Sequence, residues 1–161
     1  MQDIREVVPD LANAARPVEG IATGGQPDVD HFESLAAAGY RTVIDLRTGD
    51  EDRGLSGGVT EERAVRSAGM EYVSLPLASE AVAYTDEAFD RFREILSDPS
   101  RRLALVHCRT AARVRPLILA YLTLDEGRSI EEADRLADEV SPRKQELHER
   151  ALSYIESRRN A

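Results

Sequence analysis

The sequence predicts an α/β fold: a mainly parallel central sheet flanked by helices, with three consecutive C-terminal helices. Three observations predict it. From residue 20 onward, short β-branched or apolar runs alternate with segments of helical period, the signature of strand–helix–strand units and parallel strands. One run, LALVH at 103–107, is short and apolar, as suits a central strand covered on both faces. Beyond it only helical signals follow.

The elements come in a definite order. GIAT (20–23) is a short strand followed by the turn GGQP (24–27). Asp28 is an N-cap for a helix through about Ala38, stopped by Gly39. RTVIDL (41–46) is a buried strand, rich in β-branched and apolar residues. RTGDEDRGLSGG (47–58) has the glycines and charges of an exposed loop. VTEERAVRSAG (59–69) is a helix with a glycine stop, and EYVSLPL (71–77) a strand. TDEAFDRFREILSD (85–98) puts Phe89, Phe92, Ile95 and Leu96 on one helical face. After LALVH, helix resumes near Arg113 and runs to Gly127; Pro116 is tolerated because it falls in the first turn. Ser129 with Glu132 forms a capping box for the next helix. Ser141 followed by Pro142 starts the last, an N-cap and then proline at the first helical position.

A length of 161 residues fits one domain, with residues 1–17 as an N-terminal extension. The net charge of −9 argues against nucleic acid or an anionic membrane as partner, since both need clustered positive charge. One cysteine permits no internal disulfide, and no apolar stretch is long enough to span a bilayer. A cytoplasmic location is the expectation. His31, His107 and His148 are scattered, so no metal-ligand spacing is visible and no cofactor is expected.

The chain's one thiol, Cys108, directly follows LALVH and opens the short stretch CRTAAR, which ends in Arg113. At a strand–loop–helix junction the loop amides and the helix N-terminus converge on one point, where an anion or a thiolate fits. That setting, with Arg113 at the far end, favours the nucleophilic form of a cysteine. No acidic residue occurs between Asp98 and Asp125, while arginines stand at 101, 102, 109, 113 and 115. This basic window is expected to focus anions onto one mouth. A cysteine kept only for packing needs no such neighbours.

VHC followed by a short loop ending in arginine resembles the signature of cysteine-dependent protein phosphatases. It departs from the usual spacing, having four residues rather than five between cysteine and arginine, with Ala111 in place of a glycine and Val114 in place of a hydroxyl. HCRTAARV is more similar to the loop of the bacterial beta-lactamase-hydrolase-like family of tyrosine phosphatase-type proteins, which has the shorter spacing. GGQP, GYRTVIDLR (39–47), GMEYVSLP (69–76) and LDEGRSIEEA (124–133) extend the resemblance over residues 18–157.

The resemblance implies a dual-specificity-like phosphatase fold acting on a phosphorylated protein or a small-molecule phosphate. Cys108 would attack phosphorus and form a phosphocysteine. Arg113 and the amides of Arg109, Thr110, Ala111 and Ala112 would hold the phosphate oxygens, with the Arg109 charge at the rim and the Thr110 hydroxyl on the thiolate. His107 would orient the loop. Glu80, on the loop after the EYVSLP strand, is the expected leaving-group acid, with Asp86 second. Arg47, at the end of a central strand, would help bind an anion while Asp45 holds loops together. Two other readings stand beside this one: a rhodanese-like sulfurtransferase, whose cysteine loop also has four residues before a final arginine, and a non-catalytic anion-binding module.

Overall fold

The computed structural model describes residues 3–51 and 54–160; Asp52 and Arg53 of the expected exposed loop lie outside the described residues. Five strands, β1 (Ala15–Val18), β2 (Ile21–Gly24), β3 (Thr42–Asp45), β4 (Glu71–Ser74) and β5 (Ala104–His107), form one sheet in the order β1-β2-β5-β3-β4. Only β1–β2 is antiparallel. The sheet is thus mainly parallel, with the apolar run 103–107 at its centre.

Seven α-helices accompany it among the described residues: α1 (Ile4–Val7), α2 (Val29–Ala37), α3 (Glu61–Ser67), α4 (Asp86–Leu96), α5 (Val114–Leu124), α6 (Ile130–Asp138) and α7 (Gln145–Arg159). The strands divide their side chains between two apolar clusters. Ala104 and Val106 of β5 join Phe89, Phe92, Leu117 and Tyr154 from α4, α5 and α7, while Leu105 joins Phe32, Leu35 and Val65 from α2 and α3. This period of two is why β5 must be apolar at every position before its last. The α4–α7 side is tightened by the stacked Phe89 and Tyr154 rings, 4.3 Å between centroids.

The local signals act largely as the sequence implies. Asp28 caps α2 by accepting from the Val29 amide, and His31 Nδ1 accepts from the Asp28 amide in return. Ser129 caps α6 by accepting from the Glu132 amide, without the return bond of a capping box among the described residues; Thr60 and Thr85, which the sequence reading did not pick out, cap α3 and α4.

Two expectations are corrected. Residues 3–17 of the expected extension pack into the domain. Ile4, Val8 and Leu11 are buried, and Ala15–Val18 pair with β2. The strand ARPV escapes a sequence reading because its proline is tolerated only at a sheet edge, where β1 lies. The last helix begins at Gln145, with Lys144 as a cap that makes no side-chain bond, rather than at Ser141–Pro142. Ser141 is drawn away because its carbonyl accepts from the buried Arg115 guanidinium at 2.5 Å.

The connections α2 and α3 lie on one face and α4 crosses to the other, so the chain changes face on its way into β5. A crevice opens beyond the C-terminal ends of the strands at such a switch, where open parallel sheets bind ligands.

Candidate active site

β5 ends at His107, and Cys108–Arg113 fill the crevice before α5 begins. Neighbouring segments fix the loop. The Gln26 amide donates to the Arg109 carbonyl at 3.1 Å, and the Asn13 side-chain amide donates to the Thr110 carbonyl at 3.0 Å. A Cβ at Gly25 would stand 2.8 Å from the Arg109 carbonyl, which explains the second glycine of GGQP. Ala111 sits in the left-handed region, φ 75°, and its carbonyl accepts from the Val114 amide at 3.1 Å. The glycine-type conformation is therefore adopted in spite of the methyl group. The amides of Arg109, Ala112 and Arg113 donate to no backbone carbonyl among the described residues.

Cys108 is 1% exposed, in the cluster that contains Ala111, Val114 and Leu117. Its surroundings are nevertheless not purely aliphatic. Burial raises the pKa of Tyr84 and its proximity to Cys108 adds to the rise; the Arg113 pKa is raised chiefly by the Glu51 bond, with Cys108 adding to it. The Tyr84 hydroxyl donates to the Arg113 carbonyl at 2.8 Å.

The Arg113 guanidinium is held end-on. Nη1 and Nη2 donate to the two Glu51 oxygens at 2.6 and 2.7 Å, and Nη1 also donates to the Leu77 carbonyl at 3.1 Å. Among the described residues three of its five N–H donors go to these oxygens, and a side-chain hydrogen bond with Cys108 adds to the rise in its pKa. The two remaining, on Nε and Nη2, lie side by side along one edge of the planar group, a fork matched to two oxygens of an oxyanion. The bond to Arg113 is the main reason the Glu51 pKa falls to about 2.

A second network lies beneath the loop. Glu61 is fully buried; its Oε2 is 2.5 Å from His107 Nε2, and its Oε1 accepts from Arg47 Nη2 at 3.1 Å and from Gln26 Nε2 at 2.7 Å. Arg47 also grips Asp45 through Nε and Nη2 at 3.1 and 3.0 Å, and the Tyr72 hydroxyl donates to Asp45 at 2.7 Å. His107 Nδ1 lies 3.0 Å from the Cys108 carbonyl. Burial works against a charged His107 ring, but the Glu61 and Asp45 carboxylates outweigh it and the pKa is raised. With both nitrogens protonated, His107 donates to Glu61 on one side and to the Cys108 carbonyl on the other. Glu61, a residue the sequence does not single out, thus ties GGQP, VIDLR and VHC together. Asp45, Glu61 and His107 also bring ligand atoms within 4.8 Å of one another. Arg47 already supplies the positive charge between the two carboxylates, so the donor set fits an ion-pair hub rather than a metal site.

A cleft of about 300 Å³ opens beside the loop, lined by Gln26, Arg47, Asp50, Glu51, Leu55 and Arg109 among others. Glu80 stands exposed on the β4–α4 loop, just ahead of the 3-10 turn Ala81–Ala83; its carbonyl accepts from the Ala83 amide at 3.0 Å, and its side chain makes no hydrogen bond among the described residues. Asp86 pairs with Arg150 at 2.7 Å in the first turn of α4.

The expected basic mouth is smaller than the sequence implies. Arg115 is 3% exposed and points away from the loop toward Asp134 and Asp138, at 2.6 and 2.8 Å. Arg101 pairs with Glu71, and Arg102 donates to the Leu96 carbonyl. Helical geometry explains this: two positions beyond Arg113, a side chain projects from a different side of α5. Only Arg109 and Arg113 belong to the loop. The expected Thr110–thiolate bond is also absent among the described residues; Thr110 is exposed, and only its carbonyl is engaged.

The family described as DSP-PTPase phosphatase fused to NAD+ kinase matches residues 12–154. The chain belongs to this family. It is also 30% identical, over 119 residues, to the Beta-lactamase hydrolase-like protein of Xylella fastidiosa (strain Temecula1), a match covering 73% of this chain and 27% of that protein. The chain thus spans about a quarter of the length of that relative. Among solved structures, a DUF442 protein from Shewanella putrefaciens CN-32 superposes with TM-score 0.74 at 18% identity, covering 95% of this chain and 97% of the other. The core catalytic domain of the PP-IP phosphatase SIW14 from S. cerevisiae gives TM-score 0.69 at 17% identity, over 93% and 94% of the two chains. The fold is that of the dual-specificity-like cysteine phosphatases.

Proposed function

We propose that the protein hydrolyses phosphate monoesters through a phosphocysteine on Cys108. The observation that supports this reading is Arg113, held by Glu51 and Leu77 with a donor edge that no oxygen among the described residues takes, and with the Cys108 thiol as its hydrogen-bonding neighbour. In the reaction, the Cys108 thiolate attacks phosphorus and the P–O bond to the leaving group breaks. Arg113 and the amides of Arg109, Thr110, Ala111 and Ala112 take the charge that gathers on the three equatorial oxygens. Glu80 gives its proton to the departing oxygen. Water, giving a proton back to the Glu80 carboxylate, then attacks the phosphocysteine, and inorganic phosphate leaves as the thiolate re-forms. His107 fixes the Cys108 carbonyl and adds positive potential behind the sulfur, while Asp45, Arg47 and Glu61 hold His107 in place.

The test is phosphate release from p-nitrophenyl phosphate. The Cys108→Ser variant is expected to reduce it to background. Unchanged release would remove Cys108 as the nucleophile. Thiocyanate formation from thiosulfate and cyanide, without phosphate release, would replace this reading with sulfur transfer. Thermal stabilisation by phosphate without turnover would leave only an anion-binding module. A Glu80→Gln variant of unchanged rate would clear Glu80 of the acid role.

A further inference from the structure

We propose that the substrate is a hydrophilic, non-aromatic phosphate ester carrying a second anionic group, and that Arg109 selects it. This rests on the phosphatase reading above and names the substrate class of the same site.

Arg109 is the one arginine of residues 101–115 whose side chain has no hydrogen bond or ion pair among the described residues. Arg101, Arg113 and Arg115 are paired with carboxylates, and Arg102 is bonded to a carbonyl. An unpaired exposed cation is by itself ordinary, since water solvates it. Its placement is not ordinary. The backbone of Arg109 is pinned by the Gln26 amide, so the guanidinium is tethered one residue from the nucleophile, where it lines the cleft.

The other walls of the cleft point to the rest of the ligand. Arg47 is committed to Asp45 and Glu61, and Glu51 to Arg113. What remains are acceptors. Gln26 spends its Nε2 on Glu61 and the Pro27 carbonyl, which leaves Oε1 a buried acceptor without a partner. Asp50 is exposed on the same wall, with one carboxylate oxygen taken by the Thr48 hydroxyl. Acceptors without donors suit a ligand rich in hydroxyl groups. A phosphotyrosine ring, by contrast, would need extensive apolar surface around it. Leu55 is the only large aliphatic side chain on these walls, and no aromatic one lines them among the described residues. A phosphate seated on Arg113 with a polyol in the cleft thus brings a second anion within the sweep of Arg109.

The experiment compares kcat/KM for fructose 1,6-bisphosphate and myo-inositol 1,4-bisphosphate, each against its monophosphate, and for a phosphotyrosine peptide. At least one bisphosphate is expected to exceed its monophosphate by tenfold or more, and both sugar classes to exceed the peptide. In Arg109→Gln the bisphosphate-to-monophosphate ratio should fall at least tenfold, with partial recovery in Arg109→Lys. Because the Arg109 side chain is exposed and makes no hydrogen bond or ion pair among the described residues, both variants should keep the parent Tm. A preference for the peptide, or a ratio unaltered in Arg109→Gln, overturns the proposal while leaving a Cys108-dependent phosphatase intact. If no ester is hydrolysed and Cys108→Ser behaves as the parent does, the phosphatase reading itself falls, and this proposal with it.

Discussion

Glu51 holds Arg113 end-on through both carboxylate oxygens, at 2.6 and 2.7 Å, and so turns the free edge of the guanidinium toward the loop. This makes a residue of the β3–α3 loop answerable for the geometry of a residue 62 positions later. Glu51→Gln keeps the shape and removes the charge. A misplaced clamp of this kind costs about tenfold to a hundredfold in rate, so kcat/KM should fall by that order while the far-ultraviolet spectrum stays native.

The same pair sets an acid limit. Glu51 has a folded pKa of about 2, below its ordinary 4.5. A lowered carboxylate contributes stability that is fully present above its unfolded value and is lost as pH falls through the folded one. The parent protein should therefore lose this contribution between about pH 4.5 and 2. Denaturation midpoints measured across that range should show a shallower acid slope in Glu51→Gln; parallel slopes would contradict the assignment.

His107 gives the opposite sign. Its pKa is raised by Glu61 and Asp45 against the opposing effect of burial. Its contribution is thus complete below the unfolded value of about 6.5 and is lost as pH rises through the folded value. Glu61→Gln removes the largest upward influence and should flatten this alkaline loss, with the imidazole resonances titrating at lower pH by NMR. Glu61→Ala takes one of two carboxylates from the buried His107 and Arg47, which keep Asp45, and should cost about 3 kcal/mol.

Ala111 tests how much the glycine-type turn matters. Relief of left-handed strain favours Ala111→Gly by about 1–2 kcal/mol. Greater unfolded-chain freedom opposes it by about 0.4–1 kcal/mol, and loss of a buried methyl by about 0.8 kcal/mol. The sum lies within about 1 kcal/mol of zero, so urea midpoints should barely move. Ala111→Val, β-branched at φ 75° in a closed cluster, should lose at least about 2 kcal/mol.

Arg115 separates charge composition from charge placement. Arg115→Met removes the bonds of a buried guanidinium to the partly exposed Asp134 and the exposed Asp138 and should destabilise by about 1.5–3 kcal/mol. It should leave the Tm increment produced by 10 mM-scale phosphate unchanged, about 2.7 kcal/mol of stabilisation at a hundredfold excess over Kd in either protein. A reduced increment would return Arg115 to the anion site.

Much of this was legible in the chain because local rules and tertiary demands coincide. LALVH reads as a central strand since nothing polar could stand there before His107, and Asp28 and Ser129 cap helices by chemistry that needs no distant partner. The Cys108–Arg113 loop is legible for the same reason, being contiguous. What escaped reading depends on contacts distant in sequence. Pro17 conceals a strand that only its edge position permits. Glu51 and Glu61 look like any solvated acids until Arg113 and His107 arrive from 62 and 46 residues away. Arg115 looks like a member of the basic window because one dimension cannot show which side of a helix faces the crevice.

The Asn13 and Gln26 contacts carry a consequence for inactivation. The loop around the sulfur takes its shape from a hairpin at the sheet margin, among the segments that fray first on mild heating or dilute denaturant. Phosphate release, where the proposed chemistry holds, should therefore fade while helical ellipticity is still whole, and the protein should report the integrity of residues 13–26 more sensitively than that of its C-terminal helices.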